Sequence, residues 1–463
     1  MKKIGVLIRN HSPILLGEQK WYFEKVLRTR KYIPGVYLRG AITDQLLRGR
    51  TNIDQYFDQL ICDSHRWGTE IVFPNCYPNL NAYTFPMLLP VTAKSCRWKP
   101  GFVHDGNFDE EHGVFDTLLN QIIFQQIVAS STESGRPSRS LTLVQNAYRT
   151  LIEQGTLHCN VCHELANSYQ VDYAKPHGKF WEIPVQTYQQ SKSSLSRNHR
   201  KRQQEESSSE QSQFIECISE RTWFLGFSFL PDDPSLIKLY KDSLESITHL
   251  GEPADKGKGR GKVEVRVKEI DDHTLSLRQR VLQFNQKYRE MQEDYSVRKT
   301  GEVITVNLQS EAILRDRDGR TTSRLSASFL VEELRRIYRR MYAEELSDLE
   351  TRCRELISVT QPTYVTGWHS GWRPTDEAVP AIARGSVFAF SFPYLSARLL
   401  SALECLEKQG IGESKREGYG QVLICDPFHL EVPLPRASSD LYKGVRHSPF
   451  KAPLFHKAGH NIH

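Results

Sequence analysis

Two distant stretches of the chain repeat one pattern of apolar and polar positions. Residues 222–230, TWFLGFSFL, form a short apolar run, and 234–251, PSLIKLYKDSLESITHLG, place apolar residues at helical spacing. Residues 252–261, EPADKGKGRG, carry almost nothing apolar, and 262–270, KVEVRVKEI, alternate strictly. The pattern predicts strand, amphipathic helix, basic glycine loop and half-buried strand. The same order recurs in SVFAFSF (386–392), YLSARLLSALECLEKQG (394–410), IGESKREGYG (411–420) and QVLICDPFHL (421–430). A period this long suits a duplicated domain rather than a solenoid.

Each copy also has an opening strand, KIGVLIRN at 3–10 and EVITVNLQSEAIL at 302–314. A helix is expected at RGAITDQLLRGR (39–50), after IPGVYL, and another within 323–346. Strand, helix, strand, strand, helix, strand is the ferredoxin-like plan, so the expected class is α+β with two ferredoxin-like halves. Residues 1–95 and 168–270 would make the first, and 302–463 the second with a tail. Between them fall an insertion at 96–167 rich in His, Cys and Gly, a polar loop at 189–213, and a charged helical linker at 271–301.

Composition narrows the function. A chain of 463 residues has room for two or three domains, and its charge of +6 decides little until its distribution is seen. Cations cluster at Arg28, Arg30, Lys31, Arg39, Arg48 and Arg50, and again at Arg197, Arg200, Lys201 and Arg202. Gly257, Gly259 and Gly261 alternate with Lys258 and Arg260, while Gly410, Gly412, Gly418 and Gly420 bracket Lys415 and Arg416. Glycine lets backbone N–H groups approach a phosphate, and the interleaved cations add charge. Each loop alone is more simply read as a flexible helix-to-strand connection, and repetition at equivalent positions turns the balance to the phosphate reading. Both follow a helix and precede a strand, the reverse of a nucleotide-triphosphate loop, and G-x-x-x-x-G-K-[ST] is absent. The start, MKKIGVLIRNHSPILLGEQKW, reads as a first strand rather than a signal peptide, and no apolar run reaches a membrane span; a cytoplasmic location is expected.

Nine cysteines argue against a disulfide framework in such a chain. Cys159-Asn-Val-Cys162 has the two-residue spacing that lets two thiolates hold one tetrahedral zinc. Cys96 and His112 would complete a Cys₃His set, with His158 or His163 able to replace His112. A closed set of four protein ligands makes the ion structural rather than catalytic. The bland alternative is a pair of buried thiols.

At these residues the chain resembles a family. IPGVYLRGAI, with Gly35, Arg39 and Gly40, resembles the Ile-Pro-Gly-x-x-x-(Lys/Arg)-Gly motif of RAMP proteins of CRISPR effector complexes. GIGESKREGYGQV resembles their C-terminal glycine-rich loop, LGEPADKGKGRGKVEV an internal copy, and GWHSGWRPTDEAVPAIARGSVFAF a stretch of the large RAMP subunit of type III-D systems. The resemblance implies two RRM-like domains and a non-catalytic subunit that caps the 5′ repeat-derived handle of crRNA. Its partners would be the large cyclase-like subunit and a backbone RAMP subunit, with target RNA nearby, in antiviral defence. Carried over by position, the RNA-binding set is Gly35, Arg39, Gly40, Gly257, Gly259, Arg260, Gly261, Gly412, Lys415, Arg416, Gly418 and Gly420, with Lys258 alongside. Arg197 and Arg200 would join it, although the segment 191–213 is longer than the corresponding arginine-bearing loop.

Two other classes stand beside this. A RAMP endoribonuclease would need a general acid–base, for which His11 is placed, or an aspartate such as Asp44 for target cleavage. A protein-interaction scaffold would use aromatic patches around Trp368 and Trp372.

Overall fold

The computed structural model describes residues 1–17, 26–27, 29–49, 60–61, 71–79, 88–103, 109, 111–133, 137–169, 187–192, 213–251, 261–270, 275–298, 301–316, 318–348, 350–365 and 378–430. The protein is α+β, with mainly antiparallel sheets, and divides into two compact units: 1–82 with 183–271, and 83–182 with 272–463.

The first unit holds a four-stranded sheet ordered Val263–Glu269, Lys2–Asn10, Trp223–Leu230, Tyr77–Asn79. In chain order its strands stand 4-1-3-2, the order of a β-α-β-β-α-β unit. Helices Gly35–Gly49 and Pro234–Glu245 supply the two crossovers. Alternation decides which face they cover: Ile4, Val6, Ile8, Phe224, Val263, Val265 and Val267 share a core with Leu38, Ile42, Leu236, Tyr240 and Leu244. The second helix is fixed by Asp233, whose carboxylate accepts from the backbone N–H groups of Ser235 and Leu236, with Pro234 at its first turn. The first helix starts earlier than its polar pattern indicated. Gly35 opens it, its N–H donating to Asn75 Oδ1 at 2.9 Å, so the Ile-Pro-Gly motif is a helix start. The polar stretch from Gln189 is strand at its beginning: Thr187–Lys192 pairs antiparallel with Gln213–Ile218.

The second unit repeats the order 4-1-3-2, with Val422–Ile424, Glu302–Leu308, Val387–Phe392 and Arg354–Val359. Helices Ala327–Tyr342 and Ala397–Gln409 pack on each other, capped by Ser326 and Ser396, whose hydroxyls accept from Phe329 N–H and Leu399 N–H. Nearly every residue of its two central strands is buried, so both faces of this sheet are covered.

Two segments account for that cover, and both sit differently from expectation. Residues 277–294 are a helix, as the charge pattern indicated, but no detached linker. Leu277, Val281, Phe284 and Tyr288 enter the core of the second unit. Strand Val422–Ile424 pairs only with Val306–Leu308, which leaves Val303 without a strand on that side. Asn285 replaces it, Nδ2 donating to Val303 O at 2.8 Å and Oδ1 accepting from Val303 N–H at 2.7 Å. The insertion, which interrupts the first half in sequence, packs with the second half in space. Leu118, Leu119, Ile122, Ile123 and Ile127 of its helix Leu118–Glu133 join the core of the second unit.

Candidate metal centre and glycine loops

Strand Ala93–Cys96 is the middle of a three-stranded sheet with Val114–Asp116 and Ala166–Ser168, and Cys96 ends it. The turn 159–163 folds back over that end. Cys159 N–H donates to Glu164 O at 2.6 Å, and His163 takes a left-handed backbone (φ 61°). His112 is anchored by its own N–H to Lys99 O at 2.9 Å. The outcome is a quartet, Cys96, His112, Cys159 and Cys162, whose ligand atoms all lie within 4.8 Å of one another.

Two contacts define it. Cys96 Sγ and Cys162 Sγ are 3.5 Å apart, and Cys159 Sγ is 3.5 Å from His112 Nδ1. A disulfide would bring sulfurs to about 2.05 Å. Two thiolates at about 2.3 Å from one tetrahedral ion stand roughly 3.8 Å apart, near the observed spacing. His112 is held below its ordinary range by desolvation and then by the charge of Lys99, so its imidazole is neutral and able to ligate. Burial opposes ionisation of Cys96, but backbone N–H groups of Lys99 and Trp98 and the neighbouring thiols outweigh it and lower its pKa. Burial dominates at Cys159 and lifts its thiol to about 11. Val161 N–H points at Cys159 Sγ, 3.4 Å away, a donor suited to a thiolate. His158 instead lies against Glu153 O at 2.5 Å.

The closing ends of the two glycine loops make matching hydrogen bonds. Gly261 N–H donates to Pro13 O at 2.8 Å, and Gly420 N–H donates to Glu311 O at 2.8 Å. Gly261 O accepts from Leu250 N–H, as Gly420 O accepts from Ile411 N–H. Ser12 Oγ accepts from Lys262 N–H, as Ser310 Oγ accepts from Gln421 N–H, both at 2.8 Å. The sequence repeat is therefore a structural one.

This also shows what several glycines do. Gly261 and Gly420 have positive φ, 77° and 67°, and an added Cβ would run into Leu250 O and Ile411 O. Gly412 is likewise pressed on Ile313 O. Backbone packing requires these three, whatever else the loops bind. Lys415 and Arg416 lie on a single tight turn, Lys415–Glu417, closed by Gly418 at φ 87°. Gly257, Lys258, Gly259 and Arg260, like Arg197 and Arg200, fall outside the described residues, as do Trp368 and Trp372.

Gly40 differs. It lies exposed on helix Gly35–Gly49, one residue after Arg39, and a Cβ there would meet nothing within 4 Å. No packing among the described residues accounts for it. Asp44 is half-buried on the same helix, and His11 Nε2 lies 3.3 Å from Glu264 Oε2.

One buried site had no sequence signal. His429 is wholly buried, with Nδ1 2.8 Å from Asp116 Oδ2 and Nε2 2.8 Å from Asn307 Oδ1. Asn307 Nδ2 donates to Asp426 Oδ2 at 3.2 Å, which leaves its Oδ1 to accept from the ring. Thr92 closes the far side of Asp116. Burial lowers the imidazole's proton affinity, but the Asp116 and Asp426 charges outweigh it, so His429 is raised.

No family model and no curated protein sequence matches the chain. Among solved structures, a chain of a type III-B Cmr-beta complex bound to cognate target RNA and AMPPnP is 10% identical, with 90% of this chain and 96% of that chain covered and a TM-score of 0.33. Another, from Cmr-beta bound to cognate target RNA, is 11% identical, covering 58% of this chain and 97% of that one, TM-score 0.26. A Cas6 product complex is 13% identical, covering 44% and 78%, TM-score 0.27. Likenesses this distant carry no argument about activity. Among the described residues no helix is long and apolar enough to cross a membrane.

Proposed function

We propose that this protein is a non-catalytic RNA-binding subunit of a type III CRISPR effector ribonucleoprotein, one that binds and caps the 5′ handle of crRNA. The observation that carries the reading is Gly40. Glycine inside a helix costs about 1 kcal/mol relative to alanine, and here no neighbour among the described residues requires it. A bare backbone beside Arg39, at the helix opened by Ile33, Pro34 and Gly35, suits close approach of a phosphate or sugar. The duplicated loops with Lys258, Arg260, Lys415 and Arg416 supply further phosphate contacts. A large cyclase-like subunit and a backbone RAMP subunit are its protein neighbours in this reading, and target RNA passes nearby.

The Cys96, His112, Cys159 and Cys162 quartet holds one structural zinc. Its part is to pin the turn 159–163 to the end of strand Ala93–Cys96, with no open position for chemistry.

Charge-to-alanine substitution of Lys258, Arg260, Lys415 and Arg416 together tests the loop contacts. Weaker crRNA binding with a flatter dependence on salt is expected, because each lost phosphate contact lowers the slope by about one. Unchanged affinity and slope would remove the loops from the RNA site.

A further inference from the structure

The helix-covered face of the first sheet leaves the opposite face to be explained. Register places on it Lys3, Gly5, Leu7 and Arg9 of the first strand, opposite Phe229, Phe227, Leu225 and Trp223. Arg266 and Lys268 lie beside Leu7 and Gly5 on the edge strand, with Glu264 beside Arg9. Tyr77 stands opposite Leu225 on the far strand. Leu7 and Leu225 are buried, whereas Trp223, Phe227, Phe229 and Tyr77 are only partly covered and Arg266 and Lys268 are exposed.

This face is built of aromatic rings interleaved with cations. The Lys3 ammonium lies 4.7 Å from the centre of the Phe227 ring, and the Arg9 guanidinium 4.9 Å from that of Trp223. Phe227 and Phe229 meet edge to face at 5.8 Å, and Tyr32 stacks near Tyr77 at 5.3 Å. Arg9 adds a second signal. Among the described residues its Nε, shielded from water, meets no hydrogen-bond acceptor, and a buried donor of that kind is rarely left unmatched in a finished assembly.

We propose that this face is a stacking platform for two or three unpaired nucleotides of RNA, a second contact beyond the glycine loops. The inference rests on the reading of the chain as an RNA-binding subunit. Residues two apart on a strand are about 6.8 Å apart, so Trp223, Phe227 and Phe229 offer separate rings to separate bases. Four cations, Lys3, Arg9, Arg266 and Lys268, against the single carboxylate of Glu264 favour a polyanion over an acidic-poor protein surface. The Arg9 guanidinium, beside Trp223, adds positive charge next to one of these rings. Stacking is indifferent to base identity, so this contact supplies grip and orientation rather than sequence choice.

The experiment uses the full chain and a short single-stranded RNA carrying 4-thiouridine, with the same sequence as a duplex for comparison. Ultraviolet crosslinking of the unaltered protein is followed by identification of the modified peptide. A crosslink within strand Trp223–Leu230 to single-stranded but not duplex RNA is expected. Trp223→Ala with Phe227→Ala should weaken binding by roughly thirtyfold or more while leaving the salt dependence unchanged. Circular dichroism establishes that this variant is folded, and Trp223→Leu with Phe227→Leu, which keeps apolar volume, should show the same loss. No crosslink in that strand and parent-like affinity in both variants, with binding still weakened by the Lys415→Ala, Arg416→Ala change, would overturn the platform and leave the loop reading standing. No RNA binding by the unaltered chain would overturn both.

Discussion

His429 Nδ1 lies 2.8 Å from Asp116 Oδ2 in a site closed to solvent, joining two residues 313 positions apart. The pair ties the insertion to the end of the second half, since Asp116 ends strand Val114–Asp116 and His429 follows Val422–Ile424. Both ring nitrogens face acceptors, so the imidazolium is the form that satisfies the site.

Stability should therefore fall with alkaline pH. The folded-state pKa of His429 is raised above its unfolded value of about 6.5, so the contribution is complete below that value and lost as pH rises through the folded pKa. The charged groups facing the ring are Asp116 and Asp426, with Arg280 acting on Asp426 from helix Leu277–Asp294. Thermal unfolding measured from pH 6 to pH 9 should show a declining midpoint. His429→Gln should flatten that decline, and His429→Ala should cost about 3–5 kcal/mol by leaving Asp116 buried and unpaired. A parent whose midpoint is flat over this range would mean that the ring is neutral.

Gly40→Ala separates folding from function. The helix should gain about 0.5–1 kcal/mol, because no described residue crowds the added methyl and the unfolded chain loses freedom. RNA affinity should drop. Chemical denaturation and RNA titration on the same preparation read both, and equal or better RNA binding would leave Gly40 unexplained.

Gly420→Ala should behave in the opposite way to the loop cations. A Cβ at φ 67° runs into Ile411 O, so destabilisation of more than about 1 kcal/mol is expected. Lys415→Ala with Arg416→Ala should leave the unfolding midpoint within about 0.5 kcal/mol of the parent.

Metal analysis of the purified protein should find one zinc per chain, and Cys159→Ser with Cys162→Ser should lose it. Thiol titration distinguishes the alternatives: Cys96 and Cys162 joined as a disulfide would lower the free thiol count without any zinc.

Much of this architecture is legible in the amino-acid sequence, and the parts that are not have physical reasons. Alternation in KVEVRVKEI and helical spacing in PSLIKLYKDSLE locate their elements because one face of each is buried. Cys159 and Cys162 announce a candidate metal quartet because ligand spacing is a local constraint, and the structure brings Cys96 and His112 to them. What an apolar face packs against is not local. Leu118, Ile122 and Ile123 give a helix stripe but no hint that it joins the second half, and Val281 and Phe284 hide a packed helix within a charged segment. The glycine loops mislead in one respect, since Gly261, Gly412 and Gly420 answer to backbone geometry before any ligand. The aromatic face of the first sheet has no sequence signal because TWFLGFSFL reads as one apolar run, and only register shows that Trp223, Phe227 and Phe229 point away from the core.

The most direct test of the account is to purify the assembly containing this chain, crosslink it, and sequence the RNA attached to this subunit. The account predicts guide RNAs crosslinked at their 5′ repeat-derived tag. Crosslinks spread along the spacer, or no guide RNA at all, would contradict the handle-capping role.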